Sequence, residues 1–200
     1  MLRCLVFFLL LFSALAAADA VRQLERFAED LDTLSGNFFQ VIFDEDGFVL
    51  EESSGELYFQ APDRFRWDYS EPFPQQLVAD GERLWHFDEG LDQVTVRDQP
   101  PPGESPLLVL TRPELLDRFY RLEERDSDDE LSFVPLEPEA GFERAIMRFS
   151  DGLPVELELV DGLVGQVTRI ELQQLERNPE LPGELFSFEP PPGVDVLEGY

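Results

Sequence analysis

The sequence predicts a mainly β protein: a single antiparallel sheet of about eleven strands curled into an open half-barrel, with one leading helix and one short helical interruption. Three observations predict it. After Gly36 the apolar residues recur with a period of two, in short segments rich in aromatic and β-branched side chains. Turn signals separate those segments, among them Asp46-Gly47, Asp80-Gly81, Asp151-Gly152 and Asp161-Gly162. Although the formal charge is -28, 43% of the 200 residues are hydrophobic and 18 are Phe, a composition that packs a core and argues against a disordered acidic chain. Long crossover helices alternating with strands are missing, which excludes a doubly wound parallel sheet.

Taken in order, residues 1–20 read as a secretory signal peptide. Arg3 supplies the positive start, Leu5 to Leu11 the apolar run, and Ala16 to Ala20 the small residues, predicting cleavage after Ala18 or Ala20. The apolar run is too short for a membrane span. Residues 21–200 then form one domain. Val21, Leu24, Phe27, Leu31 and Leu34 are spaced by three and four, predicting an amphipathic helix ended by Ser35-Gly36. Strands follow at NFFQVIF, GELYFQ, RFRWDY, PQQLVAD, RLWHFD and DQVTV. In the third, Phe65, Trp67 and Tyr69 share one face while Arg64, Arg66 and Asp68 share the other. The pattern stops between Gln99 and Tyr120, where Ser105-Pro106 and Arg112-Pro113 each open a short helix. Strands resume at LSFVPL, FERAIMRFS, PVELELV, VGQVTRIELQQL and LFSFEP.

Composition narrows the function. The 43 acids face 15 basic residues, all Arg and unclustered, so nucleic acid and anionic membrane are repelled. Such a surface, without any Lys, suits a high-salt environment that screens the self-repulsion. The single Cys4 lies ahead of the apolar run, which leaves the mature chain no thiol, disulfide or cysteine metal ligand. His86, the only histidine, is read as an outward, solvated strand residue; without a nucleophile motif it makes an acyl-lipid hydrolase a weak reading, and no metal site or cofactor is predicted. Asp44-Glu45-Asp46-Gly47 is read as a hairpin turn, since Ile42 would occupy the first position of a calcium loop. The acidic run from Glu123 to Glu130 is read as a solvated turn.

The apolar residues are the informative part. Phe38, Leu57, Phe59, Phe65, Trp67, Trp85, Phe87, Val94 and Val96, with Leu107, Leu108, Val109 and Leu110, exceed what a thin one-sided sheet needs. They fit either a filled core or a cavity for greasy ligands, and patterning does not separate the two.

A resemblance does. Phe38-Phe39-Gln40, Gly55-x-Leu57, Pro62-x-x-Phe65-Arg66-Trp67-x-Tyr69, Pro72 with Gln75, Asp80-Gly81-x-x-Leu84-Trp85 and Gln93-Val94 occur in register. Ser105-Pro106-Leu107-Leu108 and Phe186-x-Phe188-x-Pro190-Pro191-x-Gly193-Val194 follow them. Together these words resemble the LolA family of periplasmic outer-membrane lipoprotein carriers.

The resemblance implies a half-barrel whose helical lid, carrying Leu107, Leu108 and Leu110, covers an apolar cavity. Phe38, Leu57, Phe59, Phe65, Trp67, Trp85 and Val94 would line that cavity, and the final word would form a C-terminal strand. It also implies a monomeric periplasmic carrier of triacylated or diacylated lipoproteins, loaded by an inner-membrane ABC transporter and emptied by an outer-membrane receptor, without catalysis. A lipid-sensing or regulatory domain on the same fold is the alternative. One position departs from the family: Ala61 stands where an Arg latches the lid, so either Arg64 or another group substitutes, or the lid closes by apolar contact.

Overall fold

A computed structural model describes residues 13–100, 111–123, 125, 127–137 and 141–199, with side chains from residue 20 onward. Helix α1 (Ser13–Ala28) leads into strand β1 (Thr33–Phe43). A meander follows: β2 (Val49–Gln60), β3 (Arg64–Glu71), β4 (Gln75–Ala79), β5 (Arg83–Asp88) and β6 (Gln93–Asp98). A 3-10 turn at Pro113–Leu115 runs into α2 (Leu116–Phe119). The chain then forms β7 (Tyr120–Glu123), β8 (Glu130–Pro135), β9 (Arg144–Ser150), β10 (Leu153–Val160) and β11 (Val167–Arg177). After a second 3-10 turn, Gly183–Phe186, it ends in β12 (Asp195–Glu198).

The strands make one open sheet in the order β12-β6-β5-β4-β3-β2-β1-β11-β10-β9-β8-β7. Its two ends do not pair, so the sheet stays an unclosed barrel. Every pairing is antiparallel except β12, which runs parallel to β6. The long β1 sits at the centre, bonded to β2 on one side and β11 on the other, and so joins the two meanders.

One face carries the main core. Leu24 and Phe27 of α1 are buried there with Phe38, Trp67, Phe133, Met147, Leu157 and Leu172. The strand period explains which residues face it: Leu157 stands opposite both Met147 and Ile170, and Leu172 opposite Phe38.

The helix differs from the sequence expectation. It ends at Ala28, Asp30 takes a left-handed φ of 53°, and Leu34 and Ser35 lie within β1. Leu34 satisfies a helical spacing, but in β1 its backbone pairs on both sides, with Phe59 and Arg177, and a central strand position wins. Asn178 fixes the turn, accepting the amides of Asp32 and Thr33 at 2.8 and 3.2 Å and donating to the Asp30 carbonyl at 2.7 Å.

At the C-terminus, LFSFEP is not a strand. Its first residues close a 3-10 turn, and Phe188 follows unpaired in the sheet. Two short strands that the pattern gave no sign of, β7 and β12, bring the count among the described residues to twelve. The other segments form where expected, with β2 beginning six residues ahead of Gly55 because β1 continues to Phe43 and holds Val49 in register.

Candidate functional site

Around Phe38 the inner face is a contiguous aromatic stripe. Register places Phe65, Trp67 and Tyr69 of β3 opposite Phe59, Leu57 and Gly55 of β2, whose own partners in β1 are Leu34, Gly36 and Phe38. Gly55 makes the stripe possible. A Cβ there would lie 1.9 Å from the Asp68 carbonyl oxygen and 3.0 Å from the Phe38 ring, so only glycine lets the two strands and the ring approach. The Phe38 ring thus reaches across β2 to Trp67 at 4.5 Å and Tyr69 at 4.9 Å.

Five of the seven predicted cavity residues meet on this face. Phe38, Leu57, Phe59 and Trp67 belong to the core cluster at 2–6% exposure, with Phe65 packed against them half-buried. These side chains are packed against one another in this conformation rather than left bare around a void. The predicted lid residues Leu107, Leu108 and Leu110 lie outside the described residues.

Trp85 and Val94 belong elsewhere. Trp85 pairs with Val78 and Val96, Val94 pairs with Phe87, and Val78 in turn sits opposite Arg66, which puts them all on the outer face. The C-terminal segment covers them: the Phe188 ring lies 5.6 Å from Trp85 and 5.9 Å from Phe87, and Phe186 is buried. Alternation in Leu84-Trp85-His86-Phe87 put the two aromatics inward and His86 outward; the structure reverses this because the C-terminal segment gives the outer face an apolar cover of its own.

The family words around this cluster have structural causes. Arg66 grips Asp68 through its Nε at 2.8 and 2.9 Å, and its Nη1 donates to the Leu185 carbonyl at 3.2 Å, tying the C-terminal segment down. Asp80 accepts the amides of Glu82 and Arg83 at 2.9 and 2.8 Å and the Trp85 indole N–H at 3.0 Å. Burial alone would raise the Asp80 pKa, but these hydrogen bonds outweigh it and hold the carboxyl below its usual value.

His86 also departs from expectation. It is exposed, yet it pairs with Leu77, which pairs with Trp67, so it stands on the inner face. There it lines a cleft of about 290 Å³ with Gln40, Ser53, Tyr69, Gln75 and Leu77 among others. Burial pushes the Tyr69 hydroxyl up to about 12, and nearby Glu51 adds to the shift.

Ala61 is exposed in the β2–β3 turn, where its amide donates to the Asp32 carbonyl at 2.8 Å. Arg64 is exposed beside Gln60, with its Nη1 3.5 Å from the Gln60 Oε1.

The acidic segments behave as turns and ion pairs. Asp44 accepts the amides of Asp46 and Phe48, closing the first hairpin. Glu130 accepts from Arg125 at 3.1 Å and Arg148 at 2.9 Å, and the Arg148 contact is first in holding its carboxyl below the usual range. Among the described residues no group of His, Cys, Asp and Glu is placed to hold a metal.

Comparison with known proteins agrees with this architecture. Residues 29–189 match the family described as outer membrane lipoprotein carrier protein LolA. An outer-membrane lipoprotein carrier protein of Alkalilimnicola ehrlichii is 46% identical over 188 residues, covering 92% of this chain and 86% of the relative. One from Halorhodospira halophila is 42% identical, covering 92% and 88%. Among solved structures, an uncharacterized conserved protein from Thermus thermophilus shares the fold at a TM-score of 0.54 and 12% identity, covering 92% of this chain and 99% of its own.

Proposed function

Since the chain belongs to the LolA family of outer membrane lipoprotein carrier proteins, we propose that it carries lipoproteins across the periplasm, sheltering their acyl chains on the inner face. The observation that supports this reading most directly is the aromatic stripe of Phe38, Phe65, Trp67 and Tyr69, laid across β1–β3 by the close approach at Gly55. On this reading the carrier catalyses no covalent change, takes triacylated or diacylated cargo from an inner-membrane ABC transporter, and yields it to an outer-membrane receptor. It works as a monomer after signal cleavage.

The physical need is large. At about 0.8 kcal/mol per methylene, one chain of roughly sixteen carbons costs about 12 kcal/mol to expose, and three cost about 35. Cargo must displace the contacts that now bury Phe38, Leu57, Phe59 and Trp67, each worth about 1.5–3 kcal/mol. Acyl methylenes then replace protein side chains against the same rings. The loss offsets much of the gain, which keeps net affinity low enough for downhill transfer without a nucleotide.

The test is to incubate the purified mature protein with spheroplasts making labelled lipoproteins. Release into the soluble fraction as a one-to-one complex is the expected result. Lipoproteins that stay in the membrane would overturn the reading and favour a sensor.

A further inference from the structure

The inner face changes chemistry along its strands. Continuing past the stripe with the same parity, β1 passes from Phe38 to Gln40, β2 from Gly55 to Ser53, β4 from Leu77 to Gln75 and β5 from Leu84 to His86. The cleft of about 290 Å³ sits on this boundary, with Tyr69 and Leu77 at its apolar side and Gln40, Ser53, Gln75 and His86 at its polar side. Its volume lies at the bottom of the range for small-molecule pockets, enough for a head group but not for several tails.

Much of its hydrogen-bonding capacity is uncommitted. Among the described residues the Tyr69 hydroxyl has no hydrogen-bond partner, and Gln75 uses only its Oε1, toward His86 Nε2 at 3.0 Å. Gln40 reaches Ser53 only at 3.4 Å. The Gln75 amide N–H groups and the Ser53 and Tyr69 hydroxyls can donate to ester and amide carbonyls, while the Gln40 Oε1 is left to accept from a hydroxyl or amide N–H. Among the described residues no arginine lines the cleft, and the one carboxylate is Glu51, at the exposed rim. A phosphate there would meet a like charge and no guanidinium.

We propose that this cleft holds the neutral, carbonyl-bearing glycerol and cysteine head of a lipid-modified protein and rejects phosphorylated lipid heads. The inference rests on the carrier reading and deepens it. A carrier that works beside phospholipid bilayers must refuse lipids whose tails match those of its cargo, and tails alone give it no means to do so. The boundary at Phe38 and Gln40 supplies one, because tails lying along the stripe bring the head to Ser53, Gln75 and Glu51.

The test measures binding of three soluble probes to the purified mature chain at neutral pH: an S-palmitoylglyceryl-cysteine peptide amide, 1-palmitoylglycerol and 1-palmitoylglycerol phosphate. The two neutral probes should bind about tenfold more tightly than the phosphate. Glu51→Gln should shrink that ratio to about twofold, and Gln75→Leu should weaken the lipopeptide about threefold while leaving the phosphate unchanged. Melting temperatures verify that both variants fold. If the wild type binds all three probes equally, or if neither variant alters the ratio, the head-group inference is overturned while the carrier reading stands. If it binds none of them, both fall.

Discussion

Replacing Gly55 by Ala tests the origin of the aromatic stripe. The added methyl would lie 1.9 Å from the Asp68 carbonyl oxygen, 2.8 Å from the Asp68 carbonyl carbon and 3.0 Å from the Phe38 ring. The first two atoms are backbone in the paired strand β3, so the strands must part or the sheet must shift. Overpacking of this kind costs about 1–3 kcal/mol. Displacing Phe38 from Trp67 and Tyr69 forfeits about 0.5–1.5 kcal/mol for each aromatic pair weakened. The expected loss is therefore about 2–6 kcal/mol with both pairs weakened, a large share of the roughly 5–15 kcal/mol that holds an ordinary domain folded. Gly47→Ala is the comparison. Gly47 has a φ of 82° with nothing within 4 Å of its missing Cβ, so its cost is conformational alone, about 1 kcal/mol. Urea unfolding followed by tryptophan fluorescence measures both. Combining Gly55→Ala with Phe38→Leu should recover part of the loss, since the smaller side chain yields to the methyl. Equal costs at Gly55 and Gly47, or strict additivity with Phe38→Leu, would refute the close-approach account.

Three further outcomes follow from the outer face and the charge. Arg66→Ala removes the anchor of the Leu185 carbonyl, so hydrogen exchange at residues 183–188 should quicken and stability fall by about 1–3 kcal/mol; unchanged exchange would dismiss the anchor. Glu130 and Asp80 both have depressed carboxyl pKa values, so each adds stability above its unfolded value that is lost as pH falls through its folded value. Wild type should exceed Glu130→Gln in stability at pH 7, with the gap closing below the Glu130 unfolded value of 4.5, as pH-dependent urea midpoints would reveal. With a formal charge of -28 and 43 acids, melting temperature should climb steeply with NaCl, and a flat response would remove screening of self-repulsion as a factor.

Most of the sheet was legible because a half-buried antiparallel strand writes its burial with a period of two. Phe65-Arg66-Trp67-Asp68-Tyr69 alternates cleanly, and its apolar members lie on the inner face while Arg66 reaches Leu185 on the other. The reading failed where both faces are covered. Trp85 and Phe87 pack under Phe188 while Leu84 is buried on the opposite side, so the parity of the aromatics marks an apolar face but not the inner one. It failed again where long-range pairing overrides local spacing, as at Leu34. The polar half of the inner face was missed for a related reason. Gln40, Ser53, Gln75 and His86 come from four strands, and only the register brings them together.

The two faces of β3–β5 carry separate apolar clusters. Asp80, Trp85, Arg66 and Phe188 hold the C-terminal segment against the outer face. Support from that side lets the inner face be reorganised without unfolding the sheet, because the hydrogen bonds of the ladder and the outer cluster do not depend on what covers Trp67. If the inner cover were the only apolar packing on β3–β5, exposing Phe38 and Trp67 would leave a single layer of strands with no core on either side, which is not a stable arrangement. A sheet that must open one face to take a ligand is therefore better served by a second, permanent cluster behind it. On the carrier reading proposed above, Trp85 and Val94 would serve cargo only through that support, because the register places both on the outer face.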